Sequence, residues 1–235
     1  MPKIELSNGV IKYKTVPLYG GVKLIDKEKA LENLLLVKKI LDERNVPFQL
    51  AYGTLLGAIR DKDFITHDED IDLIVLEEYK QTFIDTLPIL IEEGFAIARY
   101  DRRGLMSIIR NGEYIDFYFF AKAGNGLRTC SGTFCIAKHI EEVAPLIFKG
   151  VEFLAPNEYE DFFLFEYGEN WRTPVQYQNF EMSKFHRLTL SFKEHVKDIL
   201  PDWIFFRLAK KAENLMTEQY NEKLKRYNRI KAIGL

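Results

Sequence analysis

Two cysteines in 235 residues are too few for a disulfide framework, so a reducing compartment is expected. No run of 18 or more apolar residues occurs, and no segment is expected to span a membrane. Residues 1–10 lack the apolar stretch of a secretory signal, which leads to the expectation of a soluble, cytoplasmic protein. Neither sign of charge dominates: 33 basic and 35 acidic residues leave a net charge of −2. The electrostatic footprint of a dedicated nucleic-acid binder is therefore missing. Internal repeats, low-complexity stretches and Pro/Gly/Ser-rich linkers are also missing. What is present is material for a core, with 47% hydrophobic residues, 18 Phe and 12 Tyr.

Charge divides the chain unevenly. Residues 181–235 hold 12 Lys/Arg and 7 Asp/Glu, against 21 and 28 over residues 1–180. This suggests an acidic body, one domain over 1–180, and a helical, basic region over 181–235. Helical spacing of Ala30, Leu34, Val37 and Leu41 behind Asp26 predicts a helix over 27–44. A short strand at 47–51, a helix at 54–60 and a strand at 70–76 follow. A helix at 79–93 leads into strands at 95–100, 105–110 and 113–121. Asn111-Gly112 marks the last hairpin turn. Further on, the pattern predicts a strand near Phe134, a helix near His139, two strands turning at Lys149-Gly150 and an aromatic helix at 157–167. The fold class is α/β (α+β), with a mixed β-sheet flanked by helices.

The acids carry the first chemical signal. On a strand, Asp70 and Asp72 point to one face. Leu73, Ile74, Val75 and Leu76 then make the strand apolar on both faces, hence buried. Two carboxylates at the mouth of a buried strand repel each other, and desolvation sharpens the conflict. A divalent cation between them would resolve it. Asp116 repeats the anomaly among the aromatics of 113–120. The three acids are expected to converge on one cation. Oxygen-only ligands favour Mg²⁺ or Mn²⁺ over zinc. The bland readings are a solvated Asp-x-Asp strand end and a core acid paired with an arginine.

A glycine turn precedes the acids. Gly53 allows a close backbone approach, and Thr54 would cap the next helix or donate to an anion. Arg60 follows two turns on, a candidate for added charge stabilisation. An anion cradle ahead of paired acids suits phosphoryl chemistry.

Residues 52–73, with Gly53-Thr54-Leu55-Leu56-Gly57, Arg60 and the string Asp68-Glu69-Asp70-Ile71-Asp72, resemble the LicD/fukutin family of phosphotransferases. Pro156 and the segment Tyr167-Gly168…Trp171…Pro174 resemble a second stretch of that family. His67 and Glu69 depart from its commoner Trp and Asp. The likeness covers roughly residues 30–180. It implies a nucleotidyltransferase-like fold and transfer of a phospho-alcohol, such as phosphocholine or phosphoribitol, from a CDP-linked donor to a sugar hydroxyl of a cell-surface glycan. Carried to matching positions, Asp70 and Asp72 hold the metal and Asp116 is the third carboxylate, as ligand or general base. Gly53 and Thr54 meet the donor's phosphates. Two other readings stay open: a nucleotidyltransferase releasing pyrophosphate, and a catalytically silent nucleotide-binding module.

Other residues have plainer expectations. Cys130, Cys135 and His139 lack a fourth zinc ligand, and read as ordinary thiols and a histidine. His186 and His195 read as surface residues, and Phe162–Phe165, Tyr167 and Trp171 as core, with Trp171 a second candidate for the substrate cleft. Arg102-Arg103 reads as turn charge, the other reading being a grip on an anionic acceptor. From Pro201, a helix with an apolar stripe of Phe205, Leu208, Ala212 and Leu215 is expected. Either it docks on the domain or a partner subunit, or it lies on a membrane surface near a lipid-linked glycan acceptor.

Overall fold

A hairpin of β1 (Lys3–Leu6) and β2 (Gly9–Lys12) opens the computed structural model, which describes residues 1–16, 18, 24–174, 196 and 200–232. The sequence pattern did not announce this hairpin, whose strands are four residues each and bury Ile4 alone. Helix α1 (Lys27–Glu43) begins as expected, the Asp26 carboxylate accepting from the Lys29 N–H at 3.3 Å. It buries Ala30, Leu34, Val37 and Leu41. Strand β3 (Gln49–Leu50), helix α2 (Tyr52–Arg60) and strand β4 (Asp70–Leu76) follow. Next come α3 (Lys80–Glu92), β5 (Ala96–Asp101), β6 (Leu105–Arg110) and β7 (Glu113–Gly124). The chain continues through β8 (Leu127–Cys130), β9 (Thr133–Ile136), α4 (Lys138–Glu141), β10 (Val143–Phe148), β11 (Val151–Pro156), α5 (Tyr159–Tyr167) and α6 (Asp202–Ala232).

The central sheet is mixed, in the order β10-β11-β3-β4-β7-β6-β5, and β7 runs on to carry β8 and β9. Strand β4 lies between β3, which is antiparallel to it, and β7, which is parallel. The β6–β7 turn has Asn111 at φ 54° and Gly112 at φ 82°, both left-handed. That is the two-residue geometry matching strand twist, and it sets Arg110 opposite Glu113.

Helices cover both faces. Phe83 of α3 stacks on Phe117 and Phe119 of β7, with centroids 4.4 and 5.1 Å apart. Tyr118, between them in sequence, points the other way. It meets Tyr52 of α2 at 5.1 Å, and Tyr52 meets Phe162 of α5 at 5.8 Å. The acids of β4 and β7 lie on this second face.

Helix α6 docks against α5 through its basic residues. Arg226 Nη2 donates to the carbonyls of Phe165 (3.0 Å) and Glu166 (3.2 Å), at the negative end of α5. Lys223 pairs with Glu166, and Lys231 and Tyr227 with Asp161. The expected apolar stripe is corrected in phase. Phe205 and Ala209 are the buried pair, whereas Leu208 is 56% exposed. A four-residue step keeps one helix face, and Leu208 stands off it. The side chains of Ala212 and Leu215, and His186 and His195 entirely, lie outside the described residues. Tyr167 is also corrected: it ends α5 and is exposed on one side, 6.0 Å from Phe163. Trp171 is core, stacked on Phe163 at 4.7 Å. Arg102 fastens α6, stacking on Phe205 at 4.1 Å and pairing with Asp202, while Arg103 pairs with Asp101. Both cysteines are free and buried.

Phe83 has no exposed surface and fills the space between α3 and β7. Phe83→Ala is expected to cost about 3–5 kcal/mol, lowering Tm by about 10 °C in thermal denaturation. A loss below about 2 °C would show that α3 does not clamp the sheet in this way.

Candidate active site

Strand register assembles the site. Asp72 stands directly opposite Asp116 across the β4–β7 pair, and Asp116 opposite Ser107 across β7–β6. Ser107 in turn stands opposite Arg99 on β5, next to an irregularity in that pairing. The row Asp72, Asp116, Ser107, Arg99 thus crosses four strands. Asp70 lies two residues before Asp72 on the same face.

Partners differ along the row. Asp116 Oδ2 accepts from Arg99 Nη2 at 2.8 Å, and Oδ1 accepts from the Ser107 hydroxyl. Among the described residues Asp72 has only neutral donors: the Tyr118 hydroxyl reaches Oδ1 at 3.1 Å, and the Gly53 N–H reaches Oδ2 at 3.1 Å. Among the described residues, Asp68, Asp70 and Asp72 have no ion-pair partner. Burial pushes the carboxyl groups of Asp70 and Asp72 well above the usual range. Neighbouring acids add to this, Asp72 and Asp116 acting on Asp70, and Asp68 and Asp116 on Asp72. Asp116 is raised by burial too, against the opposing pull of Arg99 and Ser107.

The glycine turn serves these acids. A Cβ on Gly53 would clash with the Asp68 carboxylate and stand 3.4 Å from Asp72 Oδ2. Thr54 is buried and does not cap α2. Its hydroxyl accepts from the Asp72 N–H at 2.9 Å, and the cap position is Ala51, which offers no side-chain bond. The capping expectation for Thr54 is corrected: helix α2 starts two residues earlier, which puts Thr54 within its first turn. Arg60 sits at the far end of α2, about 10 Å along the axis, its guanidinium held by Asp61. The structure does not bring it to the acids. Tyr52 turns the chain at φ 40°, a strained value for a bulky residue, held by its rings of contact with Tyr118 and Phe162.

Four members of this site escaped the sequence pattern. Asp68 lay inside the acidic string without a role. Ser107 was legible in principle, because the Asn111-Gly112 turn sets Arg110 opposite Glu113 and hence Ser107 opposite Asp116. Tyr118 read as core. Arg99 gave no signal, since the irregularity in β5 hides its register.

The donor set suits a hard divalent cation. It is all oxygen, and Asp70 and Asp72 are uncompensated. Among the described residues, no group of three or more His, Cys, Asp or Glu is placed to hold a metal ion, so the expected convergence of Asp70, Asp72 and Asp116 on one cation is not seen as a three-acid cluster. Mg²⁺ is commonly bound by one or two carboxylates, completed by water and substrate phosphates.

Residues 45–158 match the family model described as LicD/FKTN/FKRP, nucleotidyltransferase domain. The ribitol-5-phosphate transferase FKTN of Mus musculus is 26% identical over 165 residues, 65% of this chain and 35% of the mouse protein. An uncharacterized protein of Rickettsia typhi is 29% identical over 101 residues, 42% of this chain and 31% of its own length. The chain spans about a third of the length of these curated relatives. Among solved structures, the antibiotic-resistance factor ANT(2'')-Ia aligns with a TM-score of 0.45 at 15% identity, over 83% of this chain and 99% of that one. The lincosamide antibiotic adenylyltransferase LnuA aligns with a TM-score of 0.42 at 11% identity, over 68% and 93%.

Ionising Asp72 in its buried setting opposes folding. Because its folded pKa is raised, its stabilising share is complete below the unfolded value of about 4 and is lost as pH rises toward the folded value. With chelator present, Asp72→Asn should raise Tm at pH 7.5 by about 3–6 °C. The gain should vanish toward pH 4. A Tm difference independent of pH would refute the buried-charge account.

Proposed function

We propose that this chain, whose residues 45–158 match the LicD/FKTN/FKRP nucleotidyltransferase-domain model, is a member of that family and transfers a phospho-alcohol from a CDP-linked donor to a sugar hydroxyl of a glycan. The observation that carries the reading is the uncompensated pair Asp70–Asp72 beside the fixed carboxylate of Asp116. Asp70 and Asp72 would hold Mg²⁺ or Mn²⁺, which supplies positive charge for the diphosphate of the donor and for departing CMP. The acceptor oxygen forms a bond to the distal phosphorus, and the bond from that phosphorus to the bridging oxygen of CMP breaks. Asp116, whose carboxyl is raised by burial, accepts the hydroxyl proton, its plane fixed by Arg99 and Ser107. Gly53 lets the backbone pass close to Asp68 and Asp72, and Thr54 locks the Asp72 backbone. Their part is thus to position the acids that meet the donor. The mouse relative, a ribitol-5-phosphate transferase by name, makes ribitol phosphate the first group to try.

The test is CMP release from CDP-ribitol and CDP-choline with a glycan acceptor, with and without Mg²⁺. Release lost on chelation and at least about 10³-fold lower in Asp72→Ala is expected. Release unchanged in the variant would sink the site assignment. Pyrophosphate from a nucleoside triphosphate, with no CMP release, would move the chain to the nucleotidyltransferase reading. Nucleotide binding without turnover of any donor would make it a silent module.

Among the described residues, no helix is long and apolar enough to cross a membrane. Trp203 and Phe206 of α6 are exposed, and Arg207 and Lys210 share their side of the helix. This aromatic and basic face supports peripheral contact with an anionic membrane carrying a lipid-linked acceptor. Co-sedimentation with anionic but not neutral liposomes is expected, reduced at least about threefold in Trp203→Ser with Lys210→Glu. Equal sedimentation of the double variant would exclude this face.

A further inference from the structure

We infer that Arg99 is a positioning residue that restricts this site to one divalent cation. The inference rests on the reading of Asp70 and Asp72 as the cation-holding pair. Arg99 reaches from β5 across β6 to β7, so that one planar guanidinium serves two neighbours. Its Nε donates to Ser107 Oγ at 3.1 Å, and its Nη2 to Asp116 Oδ2 at 2.8 Å. The Ser107 hydroxyl then donates to the other oxygen of Asp116. Ser107 is fully buried and Asp116 nearly so, while the Arg99 side chain is half-buried and held at both ends of its contact by these two.

The row therefore has two unlike halves. Asp116 already has a cation in contact, and it is covalently part of the protein. Asp72, directly opposite, accepts among the described residues only from Tyr118 and Gly53. A two-ion phosphoryl-transfer site places its ions about 3.5–4 Å apart. Here the second ion would fall beside Asp116, against the guanidinium bound to the same carboxylate. Arg99 thus supplies the second positive charge in fixed form. It also keeps Asp116 free to act on the acceptor hydroxyl.

Mn²⁺ titration of the full chain without donor, read by the electron paramagnetic resonance of free ion, counts the sites. The wild type is expected to bind one Mn²⁺ per chain. Arg99→Gln should bind two, the second more weakly. Arg99→Gln with Asp116→Asn should return to one, and Arg99→Lys, which keeps the charge, should stay at one. Thermal melts check that each variant folds. If Arg99→Gln does not fold, Ser107→Ala, which frees one oxygen of Asp116 and loosens the guanidinium, should bind a second ion detectably. Two ions in the wild type, or one in every folded variant, would overturn the role of Arg99. No Mn²⁺ in the wild type would instead overturn the cation reading on which the inference rests.

Discussion

Asp72 and Asp116 face one another, both buried, on two parallel strands, with Asp70 close enough to feel both and Asp68 close enough to act on Asp72. Like charges so placed cannot all persist without compensation, since desolvation removes the water that would screen them. The surrounding structure answers in different ways at different acids. A guanidinium meets Asp116. A phenol and a backbone N–H meet Asp72, too weak to neutralise it. Asp70 meets nothing of the kind among the described residues. In the proposed reading, this uncompensated remainder is what would draw an external cation.

Much of the surrounding scaffold reads as support for that arrangement. The segment between α2 and β4 is tied down by Asp63, which Lys27 and Lys149 hold at a carboxyl pKa of about 2. Farther along, the Ile25 N–H donates to the Asp68 carbonyl at 3.0 Å. These contacts fix the approach of the acidic string to β4. At the other side, the positive φ of Tyr52 turns the chain so that Gly53 and Thr54 both address Asp72, one to its carboxylate and one to its backbone. The strain is local, and the rings of Tyr118 and Phe162 over-determine it. Those rings belong to the same packing that seats α2 and α5 on the acid face.

The sequence made the elements legible wherever an apolar pattern ran long enough. Strands β4 and β6 fall where their apolar runs and turn residues placed them, and the expected mixed sheet flanked by helices is the one observed. The acids were legible because buried carboxylates are anomalous. Their partners were less so, because partnership is a matter of register. Ser107 could be reached by counting back from a two-residue turn. Arg99 could not, because the irregular pairing in β5 breaks the count. Thr54 was assigned to the wrong job for a similar reason, its helix beginning two residues earlier than the glycine suggested. The hairpin of β1 and β2 was missed because four-residue strands with one buried side chain carry no period to read.

The fate of the α2 N-terminus has a consequence for the chemistry. A free helix N-terminus would attract a phosphate through its unpaired N–H groups. Here the Gly53 N–H is spent on the protein's own Asp72, so that donor reaches an anion only by giving up this bond. Arg60, the nearby cation in sequence, is turned away and neutralised by Asp61. In the proposed reaction an ion on Asp70 and Asp72 would supply the positive charge that a diphosphate requires, with Arg99 as the guanidinium in contact with Asp116. On the reading proposed above, negative charge on the protein comes first, and the cation makes the site hospitable to the substrate. This order explains why a fold would keep carboxylates where they weaken its own stability.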